Sequence, residues 1–291
     1  MLPHYSEFSY GFALTNEIVG LITLNAAPIF PSLIEEGKTG GGYDVKLDIP
    51  GLPLFLQFKR SEKMMMKSAR EYKLIQNLVG FSSHAGLDTP FFRFPITDSN
   101  KSQQHKMLCD LDNGSNLVFY AAPSFYEISE LNEAWANKSL IRRSIFVKPI
   151  DIGDLTPGGH TVSWDSLDNA WLCSEPKKIN STSSSTLVEE IREKLSKRDN
   201  LRSELKTLSE KLIVIEERLL RGDYLDASDE KTYGGYYDRI LSASRPKTLL
   251  GSPLLLKGPK ELDEEGQLLR DIADRSAQLF GAQLIIIQPH D

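Results

Sequence analysis

The sequence feature that most restricts the fold lies between residues 43 and 59. Hydrophobic and polar side chains alternate over residues 43–49, as they do on a strand with one buried face. Pro50 and Gly51 follow as a turn, and residues 54–59 have the apolar composition of a more deeply buried strand. The pattern predicts a β-hairpin near the start of a mixed α/β protein.

The expected pairing in this hairpin brings three functional side chains together. If the turn is a four-residue loop, Ile49 lies opposite Leu54, and Asp44 lies opposite Lys59. Opposed residues in an antiparallel pair have Cβ atoms about 5 Å apart. Gln57 shares a face with Lys59 because side chains alternate along a strand. We therefore expect a carboxylate, an amide and an ammonium group to converge.

These groups suit metal-assisted hydrolysis of a phosphodiester. Mg²⁺, or Mn²⁺ in its place, prefers oxygen ligands, which Asp44 and the Gln57 carbonyl can provide. A bound metal acidifies water, and Lys59 can orient that water or neutralise charge on the phosphate. One carboxylate holds Mg²⁺ weakly, so we expect a second from the first helix. Glu17 is the first choice and Glu7 the reserve.

A helix with a glutamate, a strand with an aspartate and a strand with Gln-x-Lys together resemble the PD-(D/E)XK nuclease superfamily. The glutamine resembles the branch of Mrr-like restriction endonucleases and Holliday-junction resolvases. The resemblance covers roughly residues 6–150 and implies a restriction-endonuclease-like mixed central sheet flanked by helices. It also implies that Asp44 binds metal, that Lys59 is catalytic, that Gln57 replaces an acidic ligand and that Glu17 is the helix glutamate.

The leading hypothesis is a metal-dependent endonuclease that acts on nucleic acid, with DNA favoured. Such an enzyme would suit a bacterial defence or restriction system. The sequence departs from the family pattern because Tyr43 replaces a proline and the second carboxylate of the motif is absent. Those departures favour an alternative, a non-catalytic scaffold with a nuclease fold. A further alternative is a coiled-coil adaptor with an unrelated α/β domain. In the plainest interpretation of the hairpin, its polar face meets water and Asp44 and Lys59 form an ordinary cross-strand ion pair.

Charge and composition limit the setting of the protein. The net charge is −6, yet basic residues cluster just after the Gln-x-Lys motif, where they could guide a nucleic-acid backbone. The expected contacts are Arg60, Lys63, Lys67, Arg70 and Lys73. The chain has two widely spaced cysteines and no long apolar run, which indicates a cytoplasmic protein that does not cross a membrane.

The sequence predicts a nuclease domain over residues 1–178, a Ser-rich linker over 179–185 and a helical docking region over 186–291. Residues 187–221 contain neither glycine nor proline, which predicts one helix about 50 Å long. Six apolar residues in this stretch repeat at alternating spacings of four and three: Leu201, Leu205, Leu208, Leu212, Ile215 and Leu219. Such a seam packs against another helix, either residues 261–280 or a second copy in a homodimer.

The remaining pattern predicts mixed elements along the chain. A first helix covers residues 6–24 with Ser6 as its cap, and further helices cover 67–78, 103–110 and 129–136, the last capped by Ser129. Strands are predicted over residues 91–96, 116–121, 144–149, 160–164 and 170–173, with a buried closing strand over 284–287.

Overall fold

The computed structural model describes residues 1–21, 51–79, 86–98, 102–112, 116–166, 169–197, 200–223 and 264–287. Within these ranges the protein is a mixed α/β structure with two sheets and eight helices. The predicted α/β class is confirmed, whereas the restriction-endonuclease-like arrangement stays a prediction. Asp44 and the strand predicted over residues 43–49 lie outside the described residues.

The described helices and strands follow one another in this order: α1 (Glu7–Leu21), β1 (Leu52–Phe58), β2 (Glu62–Met64), α2 (Arg70–Val79), β3 (Phe91–Ile96), α3 (Gln104–Leu111), β4 (Leu117–Pro123), α4 (Ile128–Ala136), β5 (Ser144–Val147), α5 (Pro149–Ile152), β6 (His160–Trp164), β7 (Ala170–Leu172), β8 (Lys177–Ile179), α6 (Ser184–Ser196), α7 (Leu201–Leu220), α8 (Glu264–Phe280) and β9 (Gln283–Ile287).

Strand β1 occupies an interior position in the first sheet, whose order is β5-β4-β1-β9. It pairs in parallel with β4 and antiparallel with β9. Leu54 therefore has Leu117 on one side and Ile285 on the other. The predicted hairpin register is wrong at this point, because neither side of Leu54 is available to Ile49.

The two faces of β1 pack against different cores. Leu52, Leu54, Leu56 and Phe58 face a core that is shared with α1, α4 and α6. Helix α1 approaches this face closely at Gly11, where an added Cβ would lie only 2.7 Å from the Phe58 ring. This close approach holds the middle of α1 against the even-numbered face of β1.

Phe55, on the other face of β1, belongs to the larger core that joins the two sheets. The second sheet is antiparallel, with the order β2-β3-β6-β7-β8. Phe94 of β3 contacts Tyr120 of β4 with ring centroids 5.8 Å apart and Trp164 of β6 at 5.7 Å. The odd-numbered face of β1 therefore points into the space between the sheets.

The single long helix predicted over residues 187–221 is wrong, because two helices, α6 and α7, are present instead. Asn200 starts the second helix, since its Oδ1 accepts a hydrogen bond from the Ser203 N–H at 2.9 Å. Such a cap satisfies an amide at a new helix start. Ser183 caps α6 in the same way, since its Oγ accepts a hydrogen bond from the Thr186 N–H.

The apolar seam of α7 is buried and packs against α8 within the same chain. This outcome confirms the intramolecular partner that the sequence predicted, while a homodimer stays a prediction. The seam shares its core with Phe55 and Tyr120, and β9 lies beside β1 in the first sheet. The described part of the predicted docking region is thus packed together with the predicted nuclease domain.

None of the helices that the structure describes has the length and apolar character needed to cross a membrane.

Candidate functional site

Lys59 lies directly after the last residue of β1 and continues its pairing. Its N–H donates a hydrogen bond to the Ala121 carbonyl at 2.9 Å, as in the parallel ladder before it. The side chain is only 9% exposed, and its Nζ lies 5.5 Å from the centroid of the Tyr120 ring. The fold therefore holds a cationic side chain in a largely desolvated position.

Burial lowers the pKa of Lys59 below its ordinary value, because desolvation disfavours the charged amine. The nearby Glu7 carboxylate acts in the opposite direction and raises the pKa of Lys59 in part. Within the described part of the chain, Lys59 forms neither a salt bridge nor a side-chain hydrogen bond. A buried ammonium of this kind would be stabilised by an anionic ligand.

A cleft of about 490 Å³ opens beside Lys59. Its wall residues come from the N-terminal segment, from α1, from the end of β1 and from β2 and β3: Leu2, Pro3, Glu7, Lys59, Arg60, Glu62, Pro95 and Thr97. Glu7, the reserve carboxylate of the sequence analysis, therefore lines the same cleft as the motif lysine. Arg60 adds a second, exposed positive charge.

Gln57 faces the same side of β1 as Lys59, as the strand alternation predicted. The side chain is buried, and its Oε1 accepts no hydrogen bond from any described residue. The turn at Gly281, which has a φ of +57°, passes close by, since a Cβ there would lie 3.8 Å from Gln57 Nε2. A buried carbonyl oxygen without a donor is costly, and a cation would satisfy it.

The structure does not bring Glu17 to this site, which corrects the first choice for a second metal ligand. Glu17 is buried on the face of α1 that packs against even-numbered residues of β1. Its Oε2 accepts a hydrogen bond from the Leu140 N–H at 2.7 Å, and its Oε1 accepts one from the Ile141 N–H at 3.2 Å. Because Gln57 lies on the other face of the sheet, the two side chains cannot share an ion.

Asp44 falls outside the described residues, and the hairpin register that predicted it opposite Lys59 is wrong at Leu54, so its role as a metal ligand is a prediction from the resemblance alone. Within the described ranges, no group of three or more His, Cys, Asp or Glu side chains could hold a metal ion. The unpaired Gln57 oxygen is of a type that binds a hard cation, and the cleft lining contributes the carboxylates of Glu7 and Glu62. A metal site at these residues stays a prediction.

The predicted nucleic-acid contacts begin at the cleft and extend away from it. Arg60, Lys67, Arg70 and Lys73 are exposed, and the last two lie one turn apart on α2. Lys63 is partly buried, with its Nζ 4.9 Å from the centroid of the Tyr126 ring. These placements keep the basic residues available to a ligand, although the contacts themselves stay predictions.

A buried chain of hydrogen bonds that joins Tyr120, His105 and Gly153 lies next to Lys59, and the sequence analysis did not predict it. His105 Nδ1 accepts a hydrogen bond from the Tyr120 hydroxyl at 2.9 Å, while Nε2 donates to the Gly153 carbonyl at 2.8 Å. Burial lowers the pKa of His105, which suits this neutral tautomer. No local pattern in the sequence identifies this chain of hydrogen bonds, because its members come from separate elements: α3, β4 and the residue after α5.

Comparison of the chain with protein-family models, with curated proteins and with solved structures found no match.

Proposed function

We propose that this protein is a metal-dependent nuclease whose site is the cleft beside Lys59. The observation that carries the proposal is a buried lysine of lowered pKa, without an ion-pair partner among the described residues, at the wall of a cleft. The neighbouring unpaired oxygen of Gln57 supports the same site. DNA is the favoured substrate, and a defence or restriction setting remains a prediction.

A phosphodiester is the ligand that this charge distribution favours. Lys59 and Arg60 would attract the phosphate, and the low dielectric around Lys59 strengthens that attraction. The bound phosphate would raise the pKa of Lys59 and keep it protonated, because an opposite charge nearby favours the charged form. Lys59 would then neutralise charge that develops on the phosphate oxygens.

The metal would be held by the Gln57 oxygen and by carboxylates from Asp44 or Glu7. Mg²⁺ or Mn²⁺ accepts such oxygen ligands together with water. When bound, the ion would supply an acidified water and positive charge for the phosphate. Glu7 has the further role of setting the charge state of Lys59, since it already raises the pKa of that amine.

The test is cleavage of labelled oligonucleotides by purified protein in Mg²⁺ or Mn²⁺. Lys59→Met should lower the cleavage rate by at least about 100-fold, as loss of one preorganised electrostatic group does in other enzymes. Lys211→Met is the matched control, because Lys211 is a second lysine with a pKa lowered by burial, to about 8, and it lies outside the cleft lining. Equal rates for wild type and Lys59→Met, with both proteins folded, would refute the proposal.

A second candidate function is a nuclease-fold scaffold that binds a partner without catalysis. The observation that favours this scaffold is that the described residues contain no cluster of three side chains able to bind a metal ion. Calorimetric titration with Mn²⁺ separates the two candidates. The nuclease should bind the ion and lose affinity on Gln57→Leu, whereas the scaffold should show no binding at millimolar Mn²⁺.

A further inference from the structure

Access to Lys59 restricts which nucleic acid could reach it. The side chain is 9% exposed and lies beside a cleft whose volume, about 490 Å³, is that of a small-molecule pocket. The walls of the cleft include Pro3 and Pro95, which are rigid residues. A phosphate must enter this cleft to approach the Nζ of Lys59. In a base-paired duplex the regular backbone holds each phosphate in line with its neighbours, so one phosphate cannot enter the cleft alone. A flexible single strand can insert one phosphate.

A second, independent observation concerns aromatic side chains that face solvent. Among the described Phe, Tyr and Trp residues, only three fall in the exposed class, namely Phe8 (73%), Phe12 (54%) and Trp135 (43%). Phe12 and Trp135 stack with ring centroids 6.0 Å apart and an interplanar angle of 18°. Phe8 lies one turn before Phe12 on α1 and directly follows Glu7, which lines the cleft.

Exposed aromatic faces beside a cationic cleft are the combination that binds unpaired bases. Single-strand-binding proteins pair a positive groove for the backbone with aromatic side chains on which successive bases stack. In a duplex the base faces are already stacked on one another and are not available. Phe8 follows the cleft residue Glu7 in the first turn of α1, and the stacked pair of Phe12 and Trp135 lies one turn further along the helix.

We propose that the substrate of this site is a single-stranded nucleic acid. Its scissile phosphate enters the cleft beside Lys59 and Arg60, and its bases stack on Phe8 and on the pair of Phe12 and Trp135. This inference rests on the proposed nuclease function, because it specifies the substrate of the same cleft. It goes further in giving α1 a role in recognition.

The experiment measures binding by fluorescence anisotropy in EDTA and cleavage in Mn²⁺. The probes are a labelled 20-nucleotide DNA strand, an RNA strand of the same sequence and the corresponding DNA duplex. We expect at least tenfold tighter binding of a single strand than of the duplex. Comparison of the DNA strand with the RNA strand shows whether the affinity depends on the sugar. Phe8→Ala and Phe12→Ala should each weaken single-strand binding about tenfold, as loss of one stacking platform does.

Matched variants separate stacking from folding and from simple hydrophobicity. Phe12→Leu keeps an apolar side chain without an aromatic face and should weaken binding nearly as much as Phe12→Ala. Val214→Ala, at a site 51% exposed on α7, should change nothing. Thermal melts should show all these variants to be folded.

The outcomes distinguish this inference from the function on which it rests. Duplex bound and cut as well as single strand overturns the inference and leaves the nuclease intact. Tight single-strand binding without cleavage in Mn²⁺ overturns the nuclease and leaves the recognition surface. Unchanged binding by Phe8→Ala and Phe12→Ala, with a change in sedimentation instead, would assign the aromatic surface to protein association and overturn its proposed role. A protein that binds none of the probes overturns both.

Discussion

Two buried charged side chains lie on opposite faces of strand β1 and differ in their interaction partners. Glu17, on the α1 side, accepts hydrogen bonds from the backbone N–H groups of Leu140 and Ile141. Lys59, on the other side, has no ion-pair partner among the described residues and lies beside a cleft. Both residues are less than a tenth exposed, so their difference lies in partners and not in burial.

The comparison separates a structural charge from a candidate functional one. Glu17 satisfies two amides that precede β5, so its negative charge stabilises the fold. Lys59 bears the cost of desolvation, and among the described residues no carboxylate lies within hydrogen-bonding reach of its amine. Perturbed charges of this kind are typical of functional sites. The same sequence pattern marked both residues as site candidates, and only their surroundings distinguish them.

The largest expected effect is on stability and concerns Glu17. Glu17→Ala should lower the free energy of unfolding by roughly 4 kcal/mol, because two buried N–H groups would lose a charged acceptor. Urea denaturation measures the change, and Asn16→Ala, at an exposed neighbouring position on α1, is the control. A loss below about 1 kcal/mol would mean that the Glu17 carboxylate contributes little to the fold.

Lys59 should show the opposite behaviour, with a large effect on rate and a small one on folding. Lys59→Met should cut phosphodiester cleavage at least about 100-fold, equivalent to about 2.7 kcal/mol in the barrier. Its unfolding free energy at pH 7 should equal or exceed that of wild type, since an apolar side chain replaces a desolvated charge. A strongly destabilised Lys59→Met protein would place Lys59 in the same structural class as Glu17.

The pH dependence of stability sharpens the contrast. The pKa of Lys59 is lowered in the folded protein, so the unfolded chain binds more protons between the folded value and the ordinary one. Lys59 therefore destabilises the fold below its folded pKa, and this penalty disappears as the pH rises toward about 10.4. The stability advantage of Lys59→Met should shrink between pH 7 and pH 10. If the stability advantage of Lys59→Met instead grows with pH, the pKa of Lys59 is raised in the folded protein and not lowered.

The smallest expected effect concerns Gln57. Gln57→Leu removes a buried carbonyl oxygen that no described residue satisfies, so it should raise the unfolding free energy by about 1 kcal/mol. The same variant should weaken Mn²⁺ binding. Urea denaturation in EDTA measures the first effect without interference from metal. A clear loss of stability would show that the Gln57 oxygen has a partner in the native protein.

Local patterns in the sequence were sufficient to predict many elements. Strands β3 and β6 begin and end at the predicted residues, and Ser6 caps α1 as expected, since its Oγ accepts a hydrogen bond from the Ser9 N–H. Ser129 was wrongly predicted to cap α4. Glu127 occupies that position and forms a capping box with Glu130. Alternation and cap chemistry act within a few residues, which is why they can be read locally.

The sheet partners of β1 could not be predicted in this way. A short Pro-Gly turn favours a hairpin, but β4 and β9, which are distant in sequence, pair with residues 52–58. The seam on α7 predicted its contact with α8, but nothing local in the sequence indicates that β9, which follows α8, pairs with β1. The prediction that Gln57 and Lys59 lie on one face of the sheet is confirmed, because side-chain alternation depends on β1 alone and not on its partners.

The most direct test of the account is the pKa of the Lys59 amine, measured by NMR of isotope-labelled lysine side chains and assigned with Lys59→Met. We expect the pKa of Lys59 to lie below its ordinary value in the free protein and to rise when a single-stranded oligonucleotide binds in EDTA. An ordinary pKa near 10.4 that does not respond to saturating oligonucleotide would contradict it. Lys59 would then be a solvated surface charge and not the centre of an anion site.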